Sequence, residues 1–438
     1  MTRLRRFTSL ILIVCGYLSW AAPARADAVT DWNAIALQSI GAAITAGRPG
    51  PPTSLDLAMV QVAVYDAVQA IDRRYKPYHV VIPGASGSPA AAAARAAHDV
   101  LVHLFPAQAA VLDQLYHNYL ASNNLAEDDP GVAVGQQAAA GIIALRANDG
   151  SFPPNPPTFT GGTDPGVWRP TLPAFAPMTA PWFGRVTPYT LNCSAQFRAL
   201  PPPALDSKRY ARNYNEVKAL GALSNSDRTP EQTELAHFWN DNHLMQWHRA
   251  LRAIALAHVD NIGDNARLFA LVSMAMADAG ITAWDSKSHY ALWRPVTAIQ
   301  EGDNDGNWRT AGDPTWLPLI NTPPYPDYTS GANNITGAIT GMLALYFGRD
   351  SFTFEVTSTN PMAVQKTRTY RRFSDAAEDL VNVRIYQGIH FRFADTAARR
   401  QGRQVAKWAF TRFLRPIHDD DHDDDHDDDH KDNDDRKD

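Results

Sequence analysis

Two cysteines in 438 residues leave little sulfur chemistry to consider. Cys15 lies in a leading segment expected to be removed, so Cys193 stands alone and no internal disulfide can form. A lone cysteine is more often a small buried apolar residue than a nucleophile. Long apolar runs are scarce too. Outside the leading segment nothing comes near the roughly 18 unbroken apolar residues of a membrane span. No repeat period is apparent, which excludes a solenoid. The net charge of -6 is confined to the ends. Residues 418–438 hold thirteen Asp against Lys431, Arg436 and Lys437, residues 1–26 hold four Arg and no acid, and the body between sums to zero. A neutral body argues against nucleic acid as a partner. Apolar residues make up 45%, enough for a sizeable core.

The two ends read as something other than fold. Arg3, Arg5 and Arg6 precede an apolar stretch reaching Ala22, and Ala24-Arg25-Ala26 fits the small-x-small cleavage rule. Residues 1–26 are therefore expected to be a signal peptide, with the mature chain starting at Asp27. The alternative is an N-terminal membrane anchor, for which the stretch is short. Cleavage implies an exported protein, periplasmic or secreted, with no membrane attachment afterwards. At the other end His418, His422, His426 and His430 alternate with Asp triplets. Such a charge density cannot pack a core, so 418–438 is expected to be a disordered tail. Its imidazoles and carboxylates suit weak chelation of a divalent metal.

Between them, 27–417 reads as one all-α domain of roughly ten helices. Apolar residues fall at helical spacing in 54–73, behind Ser54 as a cap. Pro89 opens an Ala-rich helix to about 104, and two more follow over 107–121 and 130–147. Residues 152–203 are dense in proline with no period, too long for a passive loop, and are expected to wrap the body or cover a site. Helices resume at 207–221. Thr229-Pro230-Glu231-Gln232 looks like a capped start of a helix to about 249. Further helices are expected over 264–294, 330–347, 373–388 and 396–414.

Three separated segments carry chemistry. In Trp284-Asp285-Ser286-Lys287-Ser288-His289-Tyr290-Ala291-Leu292-Trp293-Arg294-Pro295, Lys287 and Arg294 are seven apart, about two helical turns, so both project from one face. Two cations there, with Pro295 ending the helix, suit a bound anion, although from this segment alone snorkelling surface cations are the favoured reading. In Pro323-Pro324-Tyr325-Pro326-Asp327-Tyr328-Thr329-Ser330-Gly331-Ala332-Asn333-Asn334, a Pro-rich turn enters a helix through Ser330 and Gly331. Free N–H groups and the positive helix end point outward there, and the bland alternative is an ordinary N-cap. In Arg384-Ile385-Tyr386-Gln387-Gly388-Ile389-His390-Phe391-Arg392-Phe393, Arg384 and His390 would face apart on a straight helix, and a bend near Gly388 would let both reach one pocket. Glu234 and His237 form Glu-x-x-His, but a carboxylate-bridged metal bundle needs a second such pair and none is found.

Lys-x6-Arg-Pro, a Ser-Gly helix start and Arg-x5-His, in that order, resemble the vanadium-dependent haloperoxidase and type 2 phosphatidic acid phosphatase superfamily. Trp284 and the Arg-Ile-Tyr-x-Gly-Ile-His-Phe-Arg-Phe run look like its haloperoxidase branch, and Val29-Thr30-Asp31-Trp32-Asn33 is similar to secreted bacterial members. The resemblance implies an all-α fold of helical bundles and a pocket for a tetrahedral oxyanion, vanadate or phosphate. Lys287, Arg294 and Arg384 would neutralise its oxygens, Ser330 and the Gly331 N–H would donate to them, and His390 would supply the axial nitrogen, as ligand to vanadium or nucleophile on phosphorus. Asp241 would sit where haloperoxidases place an acid beside the pocket arginine. The implied activity is oxidation of halide by hydrogen peroxide, the alternatives being an acid phosphatase acting on a phosphate ester through a His390 phosphoenzyme and a non-catalytic oxyanion or metal binder. Two departures bear on this. The superfamily's Pro-Ser-Gly-His is Thr329-Ser330-Gly331-Ala332 here, so the acid–base histidine is absent and activity is expected to be weak; His289 is a candidate substitute. The phosphatase pattern places Asp four residues after the histidine, whereas that position is Ala394 and the acid is Asp395.

Overall fold

The computed structural model describes residues 27–417; the leader expected over 1–26 and the tail expected over 418–438 lie outside the described residues. Asp27 is an N-cap, its carboxylate accepting from the N–H groups of Val29 and Thr30 at the head of α1 (Ala28–Thr45). The expected set of helices omits α1, although Val29, Trp32, Ala36 and Ile40 recur at helical spacing and are buried. Four expected helices follow, α2 (Thr53–Asp72), α3 (Pro89–Leu104), α4 (Ala109–Ser122) and α5 (Pro130–Arg146). Ser88 and Pro89 start α3 as a cap and first helical residue.

After the Pro-rich stretch come α6 (Lys208–Leu220), α7 (Pro230–Phe238) and α8 (His243–His258). The single helix expected from Thr229 is thus two: α7 starts in the expected Thr229–Gln232 capping box, but the chain breaks after Phe238 and Asn242 caps α8 afresh. The remaining elements are α9 (Ile262–Tyr290), α10 (Pro295–Gln300), α11 (Gly331–Tyr346), a hairpin of β1 (Ser351–Thr357) and β2 (Thr367–Arg372), α12 (Phe373–Tyr386) and α13 (Arg392–Arg412). The described residues hold thirteen α-helices, and the fold is all-α apart from the antiparallel hairpin, in which Phe354 pairs with Tyr370. Phe352, Phe354 and Val356 alternate inward there and the hairpin packs on α8.

Two packed layers share α9. On one side α2 lies against α3, α5 and α9; on the other α11 lies against α13, α12 and α9. By length and composition α2 and α9 could each span a membrane, but 89% and 100% of their apolar windows are buried within the protein, so they are core helices. The α11–α13 contact is close enough that a Cβ on Gly402 would overlap the Asn334 carbonyl. That approach also sets Gln401 to accept from Thr329 Oγ1 (2.9 Å) and Asn334 Nδ2 (2.5 Å), tying α13 to the entry of α11.

Residues 152–203 wrap the body. Asp278 on α9 accepts from the N–H groups of Tyr189 and Thr190 and from Thr190 Oγ1, while Arg146 donates to the carbonyls of Thr187 and Pro188. The Trp284 indole donates to the Thr179 carbonyl, and the Thr179 N–H donates to the Pro324 carbonyl. The strap therefore lies on Trp284 and on the segment leading into α11. Cys193 in this strap is exposed rather than buried.

Candidate active site

Lys287 sits in the last turn of α9, and Arg294 is the N-cap of α10. They do not share one straight helix as their spacing suggests. Ala291 takes a left-handed conformation (φ 45°), the helix ends, and Pro295 begins the next helix instead of breaking the first. The turn nevertheless brings both side chains onto segment 325–331. Lys287 Nζ donates to the carbonyls of Pro326 (2.6 Å) and Asp327 (3.2 Å). Arg294 Nε donates to the Tyr325 carbonyl and Nη1 to the Ile389 carbonyl, both at 2.7 Å. The third segment bends as expected: α12 ends at Tyr386, Gly388 has φ 78°, and His390 precedes α13. Arg384 Nη1 donates to Gln387 Oε1, and Arg294 Nη1 lies 3.0 Å from His390 Nε2.

These are not snorkelling surface groups. Lys287, Arg294 and Ser330 are fully buried, and His390 and Arg384 are 1% and 6% exposed. Tyr325 lies at the edge, half-buried, with its ring centre 4.9 Å from both the Lys287 ammonium and the Arg294 guanidinium. Two buried donors have no partner, Arg294 Nη2 and Arg384 Nε, and Ser330 Oγ has only the Asp395 carboxylate beside it, short of full hydrogen-bond geometry. Ser330 occupies the N-cap of α11, yet its hydroxyl makes no capping bond, and the first helical N–H groups, from Gly331 on, have no intrahelical partner. Buried donors without acceptors are costly, and an acceptor-only ligand offsets that cost. The donor set therefore fits a tetrahedral oxyanion such as vanadate or phosphate.

Burial, with Arg294 adding to it, holds the Lys287 ammonium well below its ordinary value, and burial also lowers both pocket arginines. An anion beside them reverses that tendency. Two buried carboxylates escape the motif reading. Asp327 Oδ1 is 2.7 Å from His390 Nδ1 and 3.9 Å from Arg294 Nη1. Asp395 Oδ1 accepts from Asn333 Nδ2 at 2.8 Å. Burial raises Asp327 to about 8, against the pull of Arg294 and Lys287, and raises Asp395 to about 7, against Arg384. Burial and Arg294 keep His390 well below its ordinary value, so the imidazole is neutral. A carboxylate on Nδ1 fixes the ring orientation and directs Nε2 toward the cations. The clue to Asp327 was its place three residues before Ser330, inside a Pro-rich turn that must itself be buried for the site to exist.

Asp241 requires correction. Its carboxylate pairs with Arg249 (2.7 Å) and with Thr359, because the break after Phe238 turns residue 241 toward the β-hairpin. The acids beside the pocket arginines are Asp327 and Asp395. His289 is exposed and rests edge-on against Tyr290, so it does not replace the absent histidine. His243 lies in the field of Arg384, but burial holds it down at about 3, so it too stays neutral. Ala332 is half-buried. Glu234 accepts from the backbone of Val364 and Gln365, and no group of three metal-ligating side chains occurs among the described residues.

Residues 267–419 match the VCPO second helical-bundle domain. The chain is 25% identical to the vanadium chloroperoxidase of Curvularia inaequalis, over 84% of this chain and 79% of that protein. Among solved structures, a bacterial vanadium-dependent iodoperoxidase superposes with a TM-score of 0.75 at 25% identity, covering 89% of this chain and 98% of that one. An apo bacterial vanadium-dependent chloroperoxidase superposes with a TM-score of 0.67 at 19% identity, over 83% and 92% of the two chains, a likeness of fold. A helical fold, a buried tri-cationic pocket and these relatives together support the vanadium haloperoxidase superfamily for this chain.

Proposed function

We propose that this protein is an exported haloperoxidase that holds vanadate at Lys287, Arg294, Ser330, Gly331, Arg384 and His390 and uses hydrogen peroxide to oxidise halide. The observation that carries this reading is the set of buried unpartnered donors around a neutral imidazole. When bound, vanadate supplies the chemistry that activates peroxide toward halide. The chain's residues do the rest. Lys287, Arg294 and Arg384 balance charge on the oxyanion, and backbone carbonyls hold the first two in place so that little reorganisation accompanies binding. His390 presents Nε2, with Asp327 fixing the ring. Trp284, Tyr325 and the overlying strap limit water. With Ala332 unable to move a proton, Asp395 and Asp327 are the pocket groups that hold one near neutrality, Asp395 steadied by Asn333. Export rests on residues 1–26, and a mature protein beginning at Asp27 by mass spectrometry is the expected result.

Hydrogen peroxide, bromide and a phenolic indicator, with and without vanadate, test the activity. A vanadate-dependent signal lost in His390→Ala is expected, and silence with bromide and iodide across pH 4–8 overturns the reading. The Asp327–His390 pair supports a second reading, because a carboxylate-oriented imidazole also suits phosphoryl transfer. Release of p-nitrophenol from its phosphate, blocked by vanadate, would select the phosphatase. Vanadate or phosphate binding without turnover in either assay would select a non-catalytic oxyanion binder.

A further inference from the structure

A second cavity of about 380 Å³ lies beneath the Pro-rich strap, where α6 and α13 meet the back of segment 325–331. Its walls combine apolar and cationic surface. Phe197, Tyr328 and Phe393 supply aromatic surface, and Arg209, Arg400 and Gln404 supply polar ends. The other arginine of this cavity, Arg198, is closed off by Asp285 at 2.7 Å. Arg209 and Arg400 are different. Both are exposed, and among the described residues neither makes an ion pair, a hydrogen bond or a ring contact. Both lie close enough to Tyr328 for their charges to act on its phenol. The lining brings no carboxylate to offset them.

The rim is built rather than loose. Tyr328 Oη donates to the Leu200 carbonyl and Tyr290 Oη to the Ala199 carbonyl, both at 2.6 Å. The Leu200 side chain stands 81% exposed on this pinned backbone. Gln401 is turned inward, to Thr329 and Asn334, and contributes structure. The volume suits a small organic molecule. Two unpaired guanidinium groups above an aromatic floor select an anionic head and an apolar body.

From this we infer that the cavity is a binding site for a small amphipathic organic anion, an aromatic carboxylate or phosphate monoester, separate from the oxyanion pocket. Asp327 turns its side chain to His390 whereas Tyr328, the next residue, lines this cavity, so one strand forms a wall of both. The inference does not depend on which reaction the oxyanion pocket performs.

Calorimetric titration of the full chain tests it, with benzoate and phenyl phosphate as probes and benzyl alcohol and inorganic phosphate as controls. Wild type and His390→Ala are expected to bind at least one aromatic anion with Kd values within threefold of each other. The double variant Arg209→Gln/Arg400→Gln, changed only at exposed side chains, is expected to weaken that binding at least tenfold with an unchanged circular dichroism spectrum. Preference for benzoate or for phenyl phosphate then names the head group. Four results would overturn the assignment: no binding of either anion, affinity indifferent to the two arginines, binding lost in His390→Ala, or inorganic phosphate losing as much affinity as phenyl phosphate in the double arginine variant.

Discussion

Replacing Asp327 with asparagine isolates the charge of the carboxylate buried against His390. Asparagine keeps an acceptor for His390 Nδ1, which is 2.7 Å away, so the ring stays oriented while a negative charge leaves a pocket that must hold an anion. A carboxylate about 6 Å from an oxyanion, at an effective dielectric near 20, opposes it by about 3 kcal/mol. That is roughly a hundredfold in Kd. The opposition exists only when Asp327 is ionised, and its value is raised to about 8. Phosphate or vanadate affinity, measured by calorimetry for both proteins at pH 6 and pH 9, should therefore agree within threefold at pH 6. At pH 9 the variant should bind at least tenfold tighter. Comparison within each pH cancels the ligand's own ionisation. Stability supplies a second readout with a definite sign. Asp327 is raised from an ordinary 3.8, so the native state holds a proton that the unfolded chain has released, and the stabilisation from it, full below about 4, is lost as pH rises through about 8. Asp327→Asn should flatten that decline. Equal affinities of the two proteins at pH 9 would refute the placement of this charge in the binding pocket.

Ala332→His places a titratable ring at a half-buried position in the first turn of α11, and halide oxidation should rise by roughly 10²-fold or more, the usual contribution of an acid–base group; an unchanged rate at unchanged vanadate affinity would show that proton transfer is not limiting. Asp241→Asn should leave oxyanion affinity within twofold, because its carboxylate serves Arg249 and Thr359, and a tenfold loss would return it to the pocket. Gly388→Ala places a Cβ against the Gly221 carbonyl at φ 78°, so thermal denaturation should show a loss of about 2 kcal/mol or more; an unaltered Tm would mean that the turn before His390 is not constrained.

The helices most legible in the sequence were those with a strong cap or a long apolar stripe. Residues 89–104 and 130–147 emerge almost residue for residue because Pro89 and Pro130 mark their first helical positions. The hairpin was obscured because its alternation of Phe352, Phe354 and Val356 lasts only seven residues amid helical neighbours. Lys287, Arg294, Ser330, Arg384 and His390 were legible as motif positions, and a helix-periodicity argument for the first pair pointed to the right residues through the wrong geometry, since a turn at Ala291 rather than a shared face brings them together. Asp327 and Asp395 could not be weighed from spacing, because a buried acid is recognised by what surrounds it. Asp241 shows the converse: the resemblance points to it, yet one break in the chain redirects it.

Because α9 is the spine of both layers, the stretch that matches the second helical-bundle family, 267–419, carries a helix whose other flank is clothed by α2. Cut free, that half would bare the flank of α9 on which α2 packs, a face wholly buried in the intact chain. Such a fragment is an aggregation hazard, and the anion chamber at the far end of the same rod belongs to the whole polypeptide.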